Sequence, residues 1–278
     1  MKQQPFKSAL LALVVLLGAA ACKKDPVTEL NPNPPQQELP NPLPANALVS
    51  QLKWSDNDHY TFTYNAKNQV SNLRYQWQFV QGDPTQIRTI VYDFQYDAQD
   101  RPIQVDYTGG FSEKYIYHGN LIHRTKGFYP GGEWSKEVTY IYADNRIAQE
   151  IWHVNNLPGE PVTVYKYEFG YDAKGNLAEV ETYEQVTDTT SGQQQYNLLE
   201  TTEYSDFDDK INPTSWMLRY PYLPQVRWQF NNPGREVRRL SGGGTETITH
   251  TYEYNDEGLP VVKRSTRPSG VLTMTYVY

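Results

Sequence analysis

From about residue 46 onward, polar and apolar positions alternate with a period of two. In "TVYKYEFGY", Tyr165, Tyr167, Phe169 and Tyr171 fall on one face, and Val164, Lys166, Glu168 and Gly170 on the other. That alternation belongs to a strand with one packed side and one wet side. Runs of roughly 8 to 12 residues rich in Tyr, Thr, Val, Phe and Trp are separated by turn signals, and no helix is expected past residue 46. The pattern predicts an all-β chain, a long antiparallel up-and-down meander of about 14 to 18 strands, as a curled sheet or a soluble barrel. Strict alternation puts Glu179 and Glu181 on the face of Leu177 and Tyr183. Charges and amides punctuate most strands, so no continuous apolar band is left to face lipid.

The meander is built from repeated β-hairpins. Aligning the chain on its aromatic-x-aromatic pairs brings "FTYNAKNQV" at 62, "FQYDAQDRPI" at 94, "FGYDAKGNL" at 169 and "YEYNDEGLPV" at 252 into register. The fourth residue after the closing tyrosine is Asn68, Asp100, Gly175 or Gly258, types that accept the left-handed backbone of a type I turn followed by a G1 bulge. "YIYHGNLI" at 115 and "YIYADNRI" at 140 are one residue shorter and suit two-residue primed turns. "YSDFDDKINP" at 204 and "WQFNNPGREV" at 228 read as degenerate copies. Return turns lie between the units, at Gly109-Gly110, "YPGGE" at 129, "NNLPGE" at 155, "TTSGQ" at 189, "SGGGT" at 241 and "RPSG" at 267. One stretch, 206 to 224, breaks the rhythm and reads as an irregular excursion.

The units around Tyr96, Asp97 and Arg101, and around Tyr171, Asp172 and Gly175, resemble the tyrosine-aspartate (YD) repeats of the Rhs and teneurin type. Residues 205 to 213 and 251 to 278, with the loose hairpin repeat over nearly all of 46–278, are similar to a family of Gram-negative lipoproteins of unknown function. The repeat domain of that family is described as porin-like in fold. The resemblance implies a fold and an envelope location, and brings no activity with it.

The N-terminus adds an address. "MKQQPFKSALLALVVLLGAAAC" places Lys2 and Lys7 ahead of an apolar run, then small residues and Cys22; the segment is a secretory signal and looks like a bacterial lipoprotein signal. Residues 1–21 are expected to be the signal peptide, with Cys22 the lipidated first residue of the mature chain. Residues 22–45 carry seven prolines and are expected to form an extended tether reaching roughly 70 Å at ~3.1 Å per residue. Residues 46–278 form the repeat domain. The expected location is the outer membrane, lipid-anchored, facing the periplasm or the cell surface.

Cys22 is the only cysteine, so a mature chain acylated there keeps no free thiol for a disulfide, a thiolate metal site or a nucleophile. Loss of the signal removes two lysines and no acid, moving the formal charge from −7 to −9. Such a chain lacks the basic surplus that neutralises phosphates, so nucleic acid is not an expected partner. His59, His118, His123, His153 and His250 are scattered without metal-ligand spacing. "SGGGT" lacks the lysine of a phosphate loop, and no G-x-S-x-G elbow occurs. Asp206, Asp208 and Asp209 crowd together but lack the calcium-loop pattern. No metal, cofactor or catalytic residue is assigned. Among six Trp, Trp134, Trp152 and Trp216 are the candidates for a ligand-stacking surface.

The expected function is therefore a non-enzymatic, lipid-anchored envelope protein whose β-repeat domain is a scaffold or interaction surface. The alternative is a module binding a glycan or oligopeptide for nutrient capture through exposed Trp and Tyr. The expected partners are the membrane, through the anchor, and a glycan or envelope protein.

Overall fold

Each long repeat unit closes its loop with its own side chain. Asp172 Oδ1 accepts the backbone N–H groups of Lys174 and Asn176 at 2.9 and 2.8 Å. Asn65, Asp97 and Asn255 accept the equivalent pairs in their loops. The corner residue is left-handed in all four, with φ of 61° at Asn68, 63° at Asp100, 93° at Gly175 and 77° at Gly258. The short units take primed turns, with positive φ at both Asp144 and Asn145 and at Gly119. The hydrogen bonds around Asp172, its side-chain bond from Asn176 above all, hold its carboxyl below the usual carboxylate range although burial works the other way.

The computed structural model describes residues 43, 45–80, 83, 85–155 and 161–278. The expected signal peptide, Cys22, most of the expected linker and part of the turn at 155–160 lie outside the described residues. Sixteen strands run in chain order: β1 Gln51–Ser55, β2 Asp58–Tyr64, β3 Val70–Gln78, β4 Ile87–Tyr96, β5 Pro102–Tyr107, β6 Phe111–His118, β7 Leu121–Phe128 and β8 Trp134–Ala143; then β9 Arg146–Val154, β10 Thr163–Tyr171, β11 Leu177–Thr187, β12 Gln194–Ser205, β13 Arg235–Leu240, β14 Thr245–Tyr254, β15 Pro260–Arg267 and β16 Gly270–Val277. Each pairs antiparallel with its sequence neighbours, and β1 pairs with β16 through Gln51↔Val277, Leu52↔Tyr276 and Lys53↔Thr275. The sheet closes into a barrel, which leaves no free edge. The helical structure among the described residues is two three-residue turns, Ala45–Ala47 and Ser215–Met217. The second is the one helical turn wholly past residue 46 among the described residues, in keeping with an all-β chain.

Six strand pairs carry a bulge at the same place: the register shifts beside Tyr64, Tyr96, Tyr117, Tyr142, Tyr171 and Tyr254, and the extra residue lies on the strand just after the repeat turn. One extra residue reverses the in-out parity of the strand positions beyond it. Leu177 pairs with Tyr171 and is buried in the core, while Glu179 pairs with Gly170 and faces out. Strict period two, which put Leu177 and Glu179 on one face, fails for this reason.

The inward face carries the aromatic residues of the core, Tyr60, Phe62, Tyr115, Tyr140, Tyr167 and Phe169 among them, and the closing tyrosines staple the repeats together. Tyr64, Tyr96, Tyr117, Tyr171 and Tyr278 donate to the carbonyls of Val49, Val70, Pro102, Ile147 and Pro260 at 2.7 to 2.9 Å. Val70, Pro102 and Pro260 start the preceding strand, Ile147 is the second residue of its strand and Val49 lies just ahead of β1, so a buried phenol finds its partner near the start of the strand before its own. The outer wall is charged instead. Arg124 pairs with Glu137 at 3.2 Å, Lys166 with Glu168 at 2.8 Å, and Arg239 with Glu203. A Lys or Arg at a bilayer midplane costs about 2–4 kcal/mol on a barrel wall, so this exterior is suited to water.

A barrel of this strand number leaves an open channel unless something fills it. Here the chain between β12 and β13, residues 206–234, fills it. Trp216, Leu223, Val226 and Trp228 join the same buried core as wall residues from Leu52 to Tyr276. This segment corrects two expectations. "YSDFDDKINP" and "WQFNNPGREV" form no hairpins, and the excursion expected over 206–224 extends to 234. Pro213, Pro221, Pro224 and Pro233 cannot donate to a sheet ladder, and two tryptophans in the segment find burial only inside.

Candidate functional site

The filling segment enters at the barrel end that carries the repeat turns, here the repeat end. Asp208 latches it there. Its carboxylate accepts the N–H groups of Lys210 and Asn232, each at 3.0 Å, and the Tyr254 hydroxyl. Asn176 Oδ1 accepts the Asn231 N–H at 2.9 Å, and the Leu177 N–H donates to the Trp228 carbonyl at 2.7 Å. Deeper in, the Trp216 ring meets Phe62 and Tyr222 edge-on at 6.1 and 5.8 Å. Tyr115 donates to the Tyr222 carbonyl at 2.8 Å, and Gln225 donates to the Tyr117 hydroxyl at 2.9 Å.

Farther along the lumen the contacts become ionic. Arg219 pairs with Glu150, which is 1% exposed, at 2.9 Å, and its guanidinium lies over Tyr167 and Phe169 at 4.4 and 4.7 Å. Burial alone would lower the Arg219 pKa, but the Glu150 carboxylate holds it above its ordinary value. On the next residue, the Tyr220 hydroxyl donates to the Tyr107 hydroxyl at 2.9 Å, which donates to Glu113 Oε2 at 2.8 Å. Lys136 Nζ sits 3.0 Å from the same carboxylate oxygen and 3.6 Å from the centre of the Tyr220 ring. Glu113 is fully buried, and its other oxygen has no partner among the described residues. Burial lowers the Lys136 pKa against the pull of Glu113, and burial pushes the Tyr107 phenol well up, with Glu113 adding to it.

These groups lie at the opposite mouth of the barrel, the return end, where a cavity of about 270 Å³ opens. Its lining includes Tyr92, Tyr107, Phe111, Phe128, Lys136 and Tyr220. Gly127 lies in its lining. A Cβ there would meet Ser135 Oγ at 2.9 Å and the Lys136 stem at 3.0 Å, so the glycine lets the lysine lie flat across β7.

A second polar chain crosses the lumen at β13 to β15. Ser265 Oγ is 2.9 Å from His250 Nδ1, and His250 Nε2 is 3.6 Å from Glu236, which also pairs with Arg238 at 2.5 Å. The residue types are those of an acyl-transfer triad, but each of the three is only 8% exposed. A substrate carbonyl has no approach to a serine so enclosed. Burial lowers the His250 pKa, with Lys263 and Arg267 adding to the effect against Glu236. Lys263, on the same inner wall, has no carboxylate within salt-bridge distance among the described residues; burial brings its pKa down to about 8.

The sequence-derived candidates take separate places. Trp216 is 7% exposed in the filling segment. Trp152 faces the lumen, donating to Glu150 at 3.0 Å and meeting Tyr167 edge-on at 5.6 Å. Trp134 lies on the outer wall, in a groove with Lys126, Glu137 and His153. The three share no concave patch. Asp206, Asp208 and Asp209 do not converge either, since Asp208 is engaged by the latch and Asp209 faces Lys210 at 3.2 Å. Among the described residues no cluster of three or more His, Cys, Asp or Glu forms. Sequence reasoning did not single out Glu113, Lys136, Glu150 and Arg219. A signal existed for Glu113, which shares the alternating face of Tyr115 and Tyr117 in "SEKYIY", where a charge must find a buried partner.

No family model matches the sequence, and no curated protein matches it. Solved structures do. A porin-like protein from Bacteroides uniformis ATCC 8492 is 13% identical, with a TM-score of 0.54 over 83% of this chain and 96% of that one. A porin-like protein from Bacteroides vulgatus ATCC 8482 is 14% identical, with a TM-score of 0.55 over 83% of this chain and 98% of that one. At these identities the likeness establishes the fold, a porin-like β-barrel. A TcdB2-TccC3 complex also matches at 12% identity, covering 78% of this chain and 12% of that one, but its TM-score of 0.21 carries no argument.

Proposed function

We propose that this chain is a lipid-anchored envelope protein whose barrel serves as a rigid scaffold and interaction surface, and that it conducts nothing. The observation that carries the reading is the lumen. Residues 206–234 thread it, and the Arg219–Glu150 pair and the aromatic rings of Trp216 and Trp228 sit where a channel would run. The charged outer wall supports a barrel standing in water beside a membrane rather than within it. Attachment then falls to the N-terminus, where Cys22 ends a lipoprotein-like signal motif, with the outer membrane as the anchoring surface.

A stacking surface shared by Trp134, Trp152 and Trp216 gains no support, because the wall and the filling segment separate them. One experiment tests the proposal on both counts. Full-length protein and a Cys22→Ser variant are expressed, fractionated, and added to planar bilayers. The expected result is membrane association lost in the variant, with no conductance from either protein. Unchanged fractionation refutes the anchor, and stable channels refute the closed lumen.

A further inference from the structure

We propose that the return-end mouth binds a small, neutral, hydroxylated ring, a single sugar unit being the chemical class that fits. This site is independent of the anchor and uses none of Trp134, Trp152 and Trp216.

Charge comes first. Lys136 and Glu113 face each other at 3.0 Å behind the cavity, so the pair is already neutral. An anion at the mouth would displace or repel Glu113, and a cation would do the same to Lys136. In a low-dielectric site either outcome is costly. A neutral occupant meets no such penalty.

Hydrogen bonding sets the second condition. The chain Tyr220 to Tyr107 to Glu113 runs donor to acceptor toward the buried carboxylate. The outermost oxygen, on Tyr220, is thus left as an acceptor at the cavity, and a chain ending on an anion polarises each link toward it. The Lys136 ammonium is buried against Glu113 and the Tyr220 ring, so the hydroxyls of Thr108, Ser112 and Ser135 in the lining are the groups that can donate. A ligand that both gives and takes hydrogen bonds matches this lining, which hydroxyl groups do and hydrocarbon rings do not.

Shape is the third. Tyr92, Tyr107, Phe111 and Tyr220 present aromatic surface to the cavity, and Tyr220 and Phe111 remain 39% and 40% exposed. Aromatic faces beside convergent polar groups suit the C–H faces of a sugar ring. A volume of about 270 Å³ lies below the ~300–1,000 Å³ usual for drug-sized ligands, which limits the occupant to a small one. Gly127, a strand-interior glycine of the kind that marks a close approach, lets Ser135 and the Lys136 stem pack flat at the floor.

The test is saturation-transfer NMR on the full chain with neutral hexoses and disaccharides at millimolar concentration, alongside glucuronate and glucosamine as charged counterparts. Binding of one or more neutral sugars is expected, with the charged forms weaker. Phe111→Ala should weaken affinity about tenfold by removing one ring face. Tyr220→Phe keeps the ring but removes the acceptor oxygen, and should also weaken binding; circular dichroism checks that both variants stay folded. Trp134→Ala, on the outer wall, should leave binding unchanged. The proposal is overturned if no neutral sugar binds, if the charged forms bind as well or better, or if binding survives both mouth substitutions.

Discussion

Lys263 offers a measurable case of a charge held inside the barrel at a cost. Its side chain points inward from β15, opposite Tyr252 and Met274, with its ammonium 5.6 Å from the Tyr252 ring centre. Burial dominates its titration, Arg267 adds to the effect, and Glu236 offsets only part of it. A fall from 10.5 to about 8 corresponds to roughly 3 kcal/mol at ~1.36 kcal/mol per pH unit. At pH 7 the lysine is charged in both folded and unfolded chains, so the folded state bears the full penalty. Between about pH 8 and 10.5 the unfolded chain binds the proton and the folded chain does not, so this group's contribution to stability rises with pH. Lys263→Met keeps the aliphatic stem and removes the charge. In urea denaturation monitored by tryptophan fluorescence, the variant should be more stable than the parent by up to about 3 kcal/mol at pH 7. That gap should shrink from pH 8 upward by roughly 1.4 kcal/mol per unit. Tyrosine ionisation in the unfolded chain affects both proteins equally and cancels in the difference. A variant no more stable than the parent at pH 7, or a gap that stays constant to pH 9.5, refutes the reasoning.

Two other substitutions test the repeat turn and the filling segment. Gly175 has φ of 93°, and a Cβ there would collide with the Arg146 guanidinium. Gly175→Val should therefore cost ~1 kcal/mol or more, read as a lowered thermal midpoint, while Gly242→Ala, in open space without a positive φ, stays near the parent; equal effects would undo the argument. Arg219→Ala leaves Glu150 buried without its partner and should cost about 3–5 kcal/mol, whereas R219M combined with E150M should recover most of that loss. A single variant as mild as the double would mean that the pair does not hold the segment in place.

The features legible in the sequence were those the chain specifies locally. Asp172, Gly175 and their counterparts set each turn within five residues, so the hairpins and the all-β meander come from the repeat alone. Alternation also placed Tyr167, Phe169 and Tyr171 on the packed face. It failed at Leu177 because a bulge adds one residue without a distinctive side chain to mark it. The filling segment was visible only as a break in rhythm. Its place inside the lumen depends on partners far away in sequence, such as Tyr115 for Tyr222 and Glu150 for Arg219, and no local pattern encodes those distances. The mouth was hidden for the same reason, since Tyr107 and Tyr220 meet across more than a hundred residues.

The repeat and its interruption therefore do different work. Hairpins alone would give a hollow barrel, whose wall the tyrosine staples tie strand to strand. The interruption after β12 is what makes this barrel solid, and it also supplies Tyr220, half of the phenol pair at the mouth. Since Tyr107 belongs to the wall and Tyr220 to the filling segment, that pair exists only while the segment is seated. Any ligand that needs the Tyr220 oxygen at the mouth binds the seated state alone, and so stabilises it in proportion to RT ln(1 + [L]/Kd), about 2.7 kcal/mol at a hundredfold excess over Kd. Occupancy of the return end is thereby linked to the Asp208 latch at the repeat end, because both are contacts of one continuous segment.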